Sequence, residues 1–404
     1  GPTMTITSNT VASGATTGTA AVVLIYTSNE ATTDFALVDI TETGCTGDSF
    51  TTSSTTVYGS TCTVSADGAA QVAVAASTFT DASGNANSVS NTYAWTQDDT
   101  GPTMTITSAT VSSGSSTNTG AVVLVYTSNE ATTNFVITDI TVTECTNAAF
   151  STSSTTVYGS TCTEDTNAKI PTVLVAASTF TDATGNANSV SNTYTWTYDT
   201  ASPTMTITST AGDSDGDTSA VAAYALTYTS NEATSNFIVT DITGSSCTVG
   251  GFGTTSTSVY TSTCTAADGA SAHVTVAAGA FTDTAGNSNS VSNQFDWTYD
   301  GTGPTMTITS NTIASGGTTA TAEVVLIYTS NEATTNFALV DITETGCTGD
   351  TFTTTSTTVY GSSCTIAADG AASVAVAAST FTDATGNANS VSNTYSWTQD
   401  DTGP

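Results

Sequence analysis

The hexapeptide Pro2-Thr3-Met4-Thr5-Ile6-Thr7 alternates polar and apolar side chains, and it returns unchanged at Pro102, Pro203 and Pro304 of the 404-residue chain. Alternation of period two marks a strand with one buried face, because successive side chains point to opposite sides of the backbone. Its return about every hundred residues makes the chain an array of like repeats. Working outward from the hexapeptide, the repeats run 1–100, 101–201, 202–302 and 303–402, and residues 403–404 open a further copy. Arrays of this kind bind, space or bear load far more often than they catalyse. Repeat 4 follows repeat 1 almost word for word, including Val23-Leu24-Ile25-Tyr26 against Val325-Leu326-Ile327-Tyr328, whereas repeats 2 and 3 depart from both. The largest recurring block is therefore read as three repeats long, from Pro2 to Pro304. The chain begins and ends on Gly-Pro, so it reads as an excerpt of a longer array. It has no initiator Met, no apolar leader and no run long enough to span a bilayer.

Within repeat 1, Ala20 to Tyr26 is a β-branched run suited to a central strand and is closed by Ser28-Asn29-Glu30. Phe35-Ala36-Leu37-Val38, the limb around Val57-Tyr58, Gln71-Val72-Ala73-Val74 and the segment from Val89 to Trp95 are the remaining strand candidates. Gly, Asn, Asp and Ser separate them, and no segment has helical spacing. About seven short strands per repeat, joined by such turns, predict an all-β fold of tandem immunoglobulin-like β-sandwiches. Trp95, Trp196, Trp297 and Trp397 close the repeats and are expected to pack the last strand rather than to offer a ligand platform.

A net charge of -33, with one Lys and no Arg, excludes nucleic acid and anionic membranes as partners, since both require cations that displace counterions. The chain is not a solvating acidic tail, because 38% of it is hydrophobic and regularly spaced. Only 9% is charged, so Ser, Thr and Asn carry most of the solubility.

Cysteines fall two per repeat, always 17 residues apart: Cys45 and Cys62, Cys145 and Cys162, Cys247 and Cys264, Cys347 and Cys364. A Ser/Thr turn such as Ser53-Ser54 lies midway, so a hairpin about it would set each pair face to face across two strands. Zinc would need four ligands, and His273 is the only histidine. Disulfides are therefore expected, each closing a loop worth roughly 3 kcal/mol. They imply an oxidising, extracellular compartment, secreted or on a cell surface.

Gly1-Pro2-Thr3-Met4-Thr5-Ile6-Thr7, Tyr26-Thr27-Ser28-Asn29-Glu30-Ala31-Thr32 and Phe79-Thr80-Asp81-Ala82-Ser83-Gly84-Asn85 together resemble bacterial Ig-like domains. Such modules stand in long tandem in giant surface adhesins, and Ig-like arrays also build extracellular filaments. The resemblance covers every repeat and implies the fold and a surface location, but no ligand. The cysteine pair is not general in that family.

Acids recur at three places per repeat. Glu30, Glu130, Glu232 and Glu332 follow the second strand. Asp81, Asp182, Asp283 and Asp383 open an Asp-x-x-Gly-Asn-x-Asn turn. Asp98, Asp99, Asp199, Asp300, Asp400 and Asp401 lie in the linkers. In an Ig-like sandwich the first two loops share the end at which the preceding linker arrives. Candidate oxygen-only sites are therefore Asp98 and Asp99 with Glu130 and Asp182, Asp199 with Glu232 and Asp283, and Asp300 with Glu332 and Asp383. Hard oxygen donors without a neighbouring cation suit Ca²⁺, and the resemblance also implies calcium at the junctions. The plain alternative is that Asp and Gly-Asn simply make turns.

Catalysis finds little support. His273 and Lys169 have no counterparts in the other repeats, and no Gly-x-Ser-x-Gly elbow is present. No Asn-x-Ser/Thr acceptor occurs, which excludes N-glycans here and leaves O-linked glycans on Thr open. The reading is an extracellular structural segment, rod-like and roughly 120–160 Å long from strand rise. It would belong to a filament that packs against copies of itself or other surface proteins, or to the passive stalk of a calcium-stiffened adhesin. A weaker reading is a carbohydrate module with platforms at Tyr58, Tyr158, Tyr260 and Tyr360.

Overall fold

The structure is a computed structural model that describes residues 1–210 and 214–403, so Pro404 of the expected further copy lies outside the described residues. The chain forms two compact units, Gly1–Thr200 and Ala201–Pro404. Each contains two hydrophobic cores, one per repeat, for example Met4 to Trp95 and Met104 to Trp196 in the first.

In repeat 1 the strands are β1 (Met4–Ser8), β2 (Thr16–Thr17), β3 (Ala21–Ser28), β4 (Ile40–Thr43), β5 (Thr46–Thr52), β6 (Val57–Thr63), β7 (Gly68–Val74) and β8 (Tyr93–Gln97). They make two sheets, ordered β1-β3-β6-β5 and β2-β8-β7-β4. All pairings are antiparallel except the short parallel match of β2 with β8. The fold is all-β, a tandem immunoglobulin-like sandwich.

Period two decides what is buried. In β3, Val22, Leu24 and Tyr26 are fully buried while Val23 between them is 46% exposed. Phe35 sits at the centre of an aromatic cluster, with its ring 5.0 Å from Tyr58 and 5.0 Å from Phe79, both near edge-on. Such pairs contribute about 0.5–1.5 kcal/mol beyond area burial. All four tryptophans are buried. The tyrosines proposed as sugar platforms are buried too. Tyr58 takes a hydrogen bond with Thr32 Oγ1 at 2.6 Å and donates to the Thr55 carbonyl, so that reading is withdrawn.

Two expectations need correction. Phe35 to Val38 is not a strand: Leu37–Asp39 forms a 3₁₀ turn, closed because Asp39 Oδ2 accepts the Ala36 N–H at 2.9 Å. The cysteines also do not oppose each other in register. Gly47 faces Cys62, and Cys45 lies one step beyond the end of β5, where the chain crosses from one sheet to the other. The Cys45–Cys62 bond, with Cα atoms 5.6 Å apart, thus pins that crossover to β6; the equivalent bonds in the other repeats span 5.6–5.7 Å. Gly44 at the crossover has φ 74°, and Glu144 and Ser246 hold the same left-handed conformation with side chains.

Beside each disulfide is a slot filled in different ways. In repeat 1, Glu42 occupies it, and its Oε2 accepts the Gly47 N–H at 2.7 Å. A Cβ on Gly47 would lie 2.1 Å from Glu42 Oε1. Repeat 4 repeats the pair as Glu344 and Gly349. Repeat 2 has Val142 and Asn147, and repeat 3 has Gly244 with Val249, whose methyl would meet a Cβ on Gly244 at 2.8 Å. Burial pushes the Tyr26 phenol up to about 12; the bond with Ser60 opposes that rise and nearby Glu42 adds to it.

Candidate metal centre at the repeat junction

The turn after Phe180 holds Asp182 from every side. Its Oδ1 accepts the N–H groups of Thr184 and Asn186 at 2.8 and 2.9 Å and the Thr184 hydroxyl at 2.7 Å, while Oδ2 accepts Asn186 Nδ2 at 2.9 Å. This is the Asp-x-x-Gly-Asn turn making its own bonds, and only 4% of Asp182 is exposed. The last residue of the motif, Asn188, ties the loop down from within, accepting from the Thr179 and Phe180 N–H groups and donating to the carbonyls of Ala176 and Ser189.

Asp98 and Glu130 meet Asp182 there. One carboxylate oxygen from each of the three lies within 4.8 Å of the others, and Asp300, Glu332 and Asp383 repeat the arrangement in the second unit. Among the described residues no side-chain cation offsets these charges: the single Lys169 pairs with Glu144. Burial and then the charges of Asp182 and Asp67 raise the Asp98 carboxyl, and burial with Asp98 and Asp182 raises Glu130. Glu332 is raised by burial, Asp300 and Asp383. Burial also acts upward on Asp182 and Asp383, but their hydrogen bonds from Thr184 and Asn186, or Thr385 and Asn387, outweigh it and leave both lowered. In the first cluster Asp182 thus favours its ionised form while Asp98 and Glu130 resist ionisation beside it, and in the second Asp383 favours it while Glu332 resists. Three oxygen donors and no soft ligand fit a hard divalent cation.

Asp99 is not part of the cluster. Its N–H goes to Asp67 Oδ1 at 2.7 Å and its Oδ1 accepts Gln97 Nε2 at 3.0 Å, which turns the carboxylate away to solvent. Glu232 and Asp283 occupy the equivalent loops of repeat 3, where Asp283 Oδ1 accepts three N–H groups, from Ala285, Gly286 and Asn287. Asp199 follows the last strand of the first unit, with its N–H on the Thr117 carbonyl.

Further polar residues act on the linker. Asp67, in the loop before β7, accepts the Asp99 N–H and the Thr100 hydroxyl. Asp268 does the same for Gly301 and Thr302, and Asn167 for Thr200. From the following repeat, Asn129 Oδ1 accepts the Thr103 N–H at 2.6 Å, and Asn186 Nδ2 donates to the Asp98 carbonyl at 2.8 Å. The signal for Asp67 was its recurrence some thirty residues ahead of the linkers, as Asn167, Asp268 and Asp369, hidden in an ordinary turn sequence.

This is an array of Ig-like domains with an acidic cluster at a junction inside each compact unit. Residues 1–96 and 199–299 match the bacterial Ig-like domain family, and those repeats belong to it. Among solved structures, the Escherichia coli adhesin FdeC is similar at 12% identity with a TM-score of 0.37, over 75% of this chain and 98% of that one. Invasin, a bacterial integrin-binding protein, is similar at 11% identity and 0.36, over 98% and 79%. Yersinia pseudotuberculosis InvD is similar at 15% and 0.30, over 74% and 82%. No curated protein matches the chain. Among the described residues, no helix is long and apolar enough to cross a membrane.

Proposed function

We propose that this chain is a structural spacer of an extracellular filament or fibre, in which each of the four repeats 1–100, 101–201, 202–302 and 303–402 is one folding unit. The observation that carries the reading is the recurrence of the same polar construction at the junction inside each compact unit, where Asn186 and Asn387 each bond a linker carbonyl and the neighbouring aspartate. Divalent calcium at the acidic triads would stiffen those junctions further, with Asp98, Glu130 and Asp182, and Asp300, Glu332 and Asp383, as its carboxylate ligands. The four disulfides support an oxidising, extracellular setting. Copies of the chain or other surface proteins are the partners, and catalysis has no part in this reading.

The second reading is the passive stalk of a cell-surface adhesin, favoured by the match to bacterial Ig-like domains. Electron microscopy of the native secreted material separates the two. Continuous fibres with a period of three repeats support the filament. Isolated strands ending in a distinct head would overturn it in favour of the stalk.

A further inference from the structure

We propose that Asn186 and Asn387 are positioning residues that tie the acidic triad to the linker, so that holding a cation and fixing the linker become one event; this rests on the cation reading above. The Asn186 amide nitrogen lies 2.8 Å from the Asp98 carbonyl, 2.9 Å from Asp182 Oδ2 and 2.8 Å from Thr184 Oγ1. One side-chain amide therefore bonds the linker backbone and a triad carboxylate together. Asn387 repeats this with the Asp300 carbonyl at 2.7 Å, Asp383 Oδ2 at 3.0 Å and Thr385 Oγ1 at 2.8 Å.

The linker has no slack that would let it escape this bond. The N–H of Asp98 is on the Thr17 carbonyl, that of Asp99 on Asp67, and that of Thr103 on Asn129, while the Pro102 carbonyl accepts the Ser189 N–H. At Gly101 a Cβ would lie 1.9 Å from the Ala187 carbonyl oxygen, and at Gly303 1.9 Å from that of Ala388. The linker thus rests directly on the loop that carries the asparagine. Repeat 1 supplies an internal contrast: Asn85 bonds Asp81 Oδ2 at 2.8 Å in the same turn. An aspartate at that position could not serve, because an ionised carboxylate has no proton to donate.

The test uses the whole four-repeat chain carrying Asn186→Ala and Asn387→Ala together. Calcium binding is followed by calorimetry, and hydrogen exchange of the amides of 98–101 and 103 and of 300–303 and 305 is followed in chelator and in calcium. In the unsubstituted chain, calcium should slow exchange of these linker amides. In the variant, calcium should bind about ten-fold more weakly, as expected for loss of an outer hydrogen bond to a ligand, and linker exchange should no longer respond to it. Asn85→Ala should leave linker exchange unaltered. If the unsubstituted chain takes up no calcium, the cation reading fails and this coupling with it. If that chain binds and the variant matches it in affinity and exchange, the coupling alone is overturned.

Discussion

At the cysteine crossover the repeats fill one interior slot in three ways, with Glu42 against Gly47 or Glu344 against Gly349, with Val142 and Asn147, and with Gly244 against Val249. At the junctions inside the two units, repeats 2 and 4 instead reproduce the same hydrogen bonds donor for donor, from Asn186 and Asn387 to the linker carbonyl and the neighbouring aspartate. A slot that three pairs of different volume and polarity can occupy constrains the sequence only weakly. A linker held by directed bonds from both sides accepts few changes, because each buried polar group left alone costs about 1–3 kcal/mol. The variable region therefore reports packing, and the repeated one reports what the array needs to keep.

The largest effect should come from the disulfide that pins the crossover beside the slot. Cys45→Ala with Cys62→Ala releases the crossover from β6 and should lower the stability of repeat 1 by roughly 3 kcal/mol. Calorimetry of the chain would show one transition moved to lower temperature; an unmoved transition would mean that packing alone holds the crossover.

The slot itself is probed next. Gly47→Val beside Glu42 forces overlap and should cost about 1–3 kcal/mol. Adding Glu42→Gly, which reproduces the pair of repeat 3, should restore most of that loss in a double-mutant cycle. Additive effects of the two changes would show that the slot is not shared.

The smallest effect is in pH. Asp98, Glu130 and Glu332 have carboxyls raised in the folded state. The stability they confer is present in full below their unfolded values and is lost as pH rises through the folded ones. Asp182 and Asp383 are lowered, so their contribution is present above the unfolded value and is lost as pH falls through the folded one. In chelator, melting temperature should therefore rise as pH falls from neutral into the upper carboxylate range and decline at still lower pH. Calcium should reverse the first slope, because protons then compete with the ion. A flat profile in chelator would mean that the junction carboxylates do not repel one another.

Much of this was legible in the residues alone. Alternation in Thr3 to Thr7 and in the Val22 to Tyr26 run marks buried faces directly, since period two needs no knowledge of the partner strand. The turn at Leu37–Asp39 was not legible, because Leu37 and Val38 look like strand residues and the deciding bond comes from the Asp39 side chain. Asp98 and Asp99 are chemically alike in sequence; only the Gln97 amide and the Asp67 loop divide them, one toward the cluster and one toward water. The hold of Asp67 on the linker was hidden for the same reason, since it joins residues 32 and 33 positions apart through a common turn sequence.

Calorimetric titration of the chelator-stripped chain with calcium bears most directly on the junctions as the purpose of the array. Uptake of at least one ion at each of the two triads inside the compact units, with a rise in melting temperature that Asp98→Asn and Asp300→Asn together abolish, is the expected result. No binding heat, with superimposable melts in calcium and chelator, would contradict it.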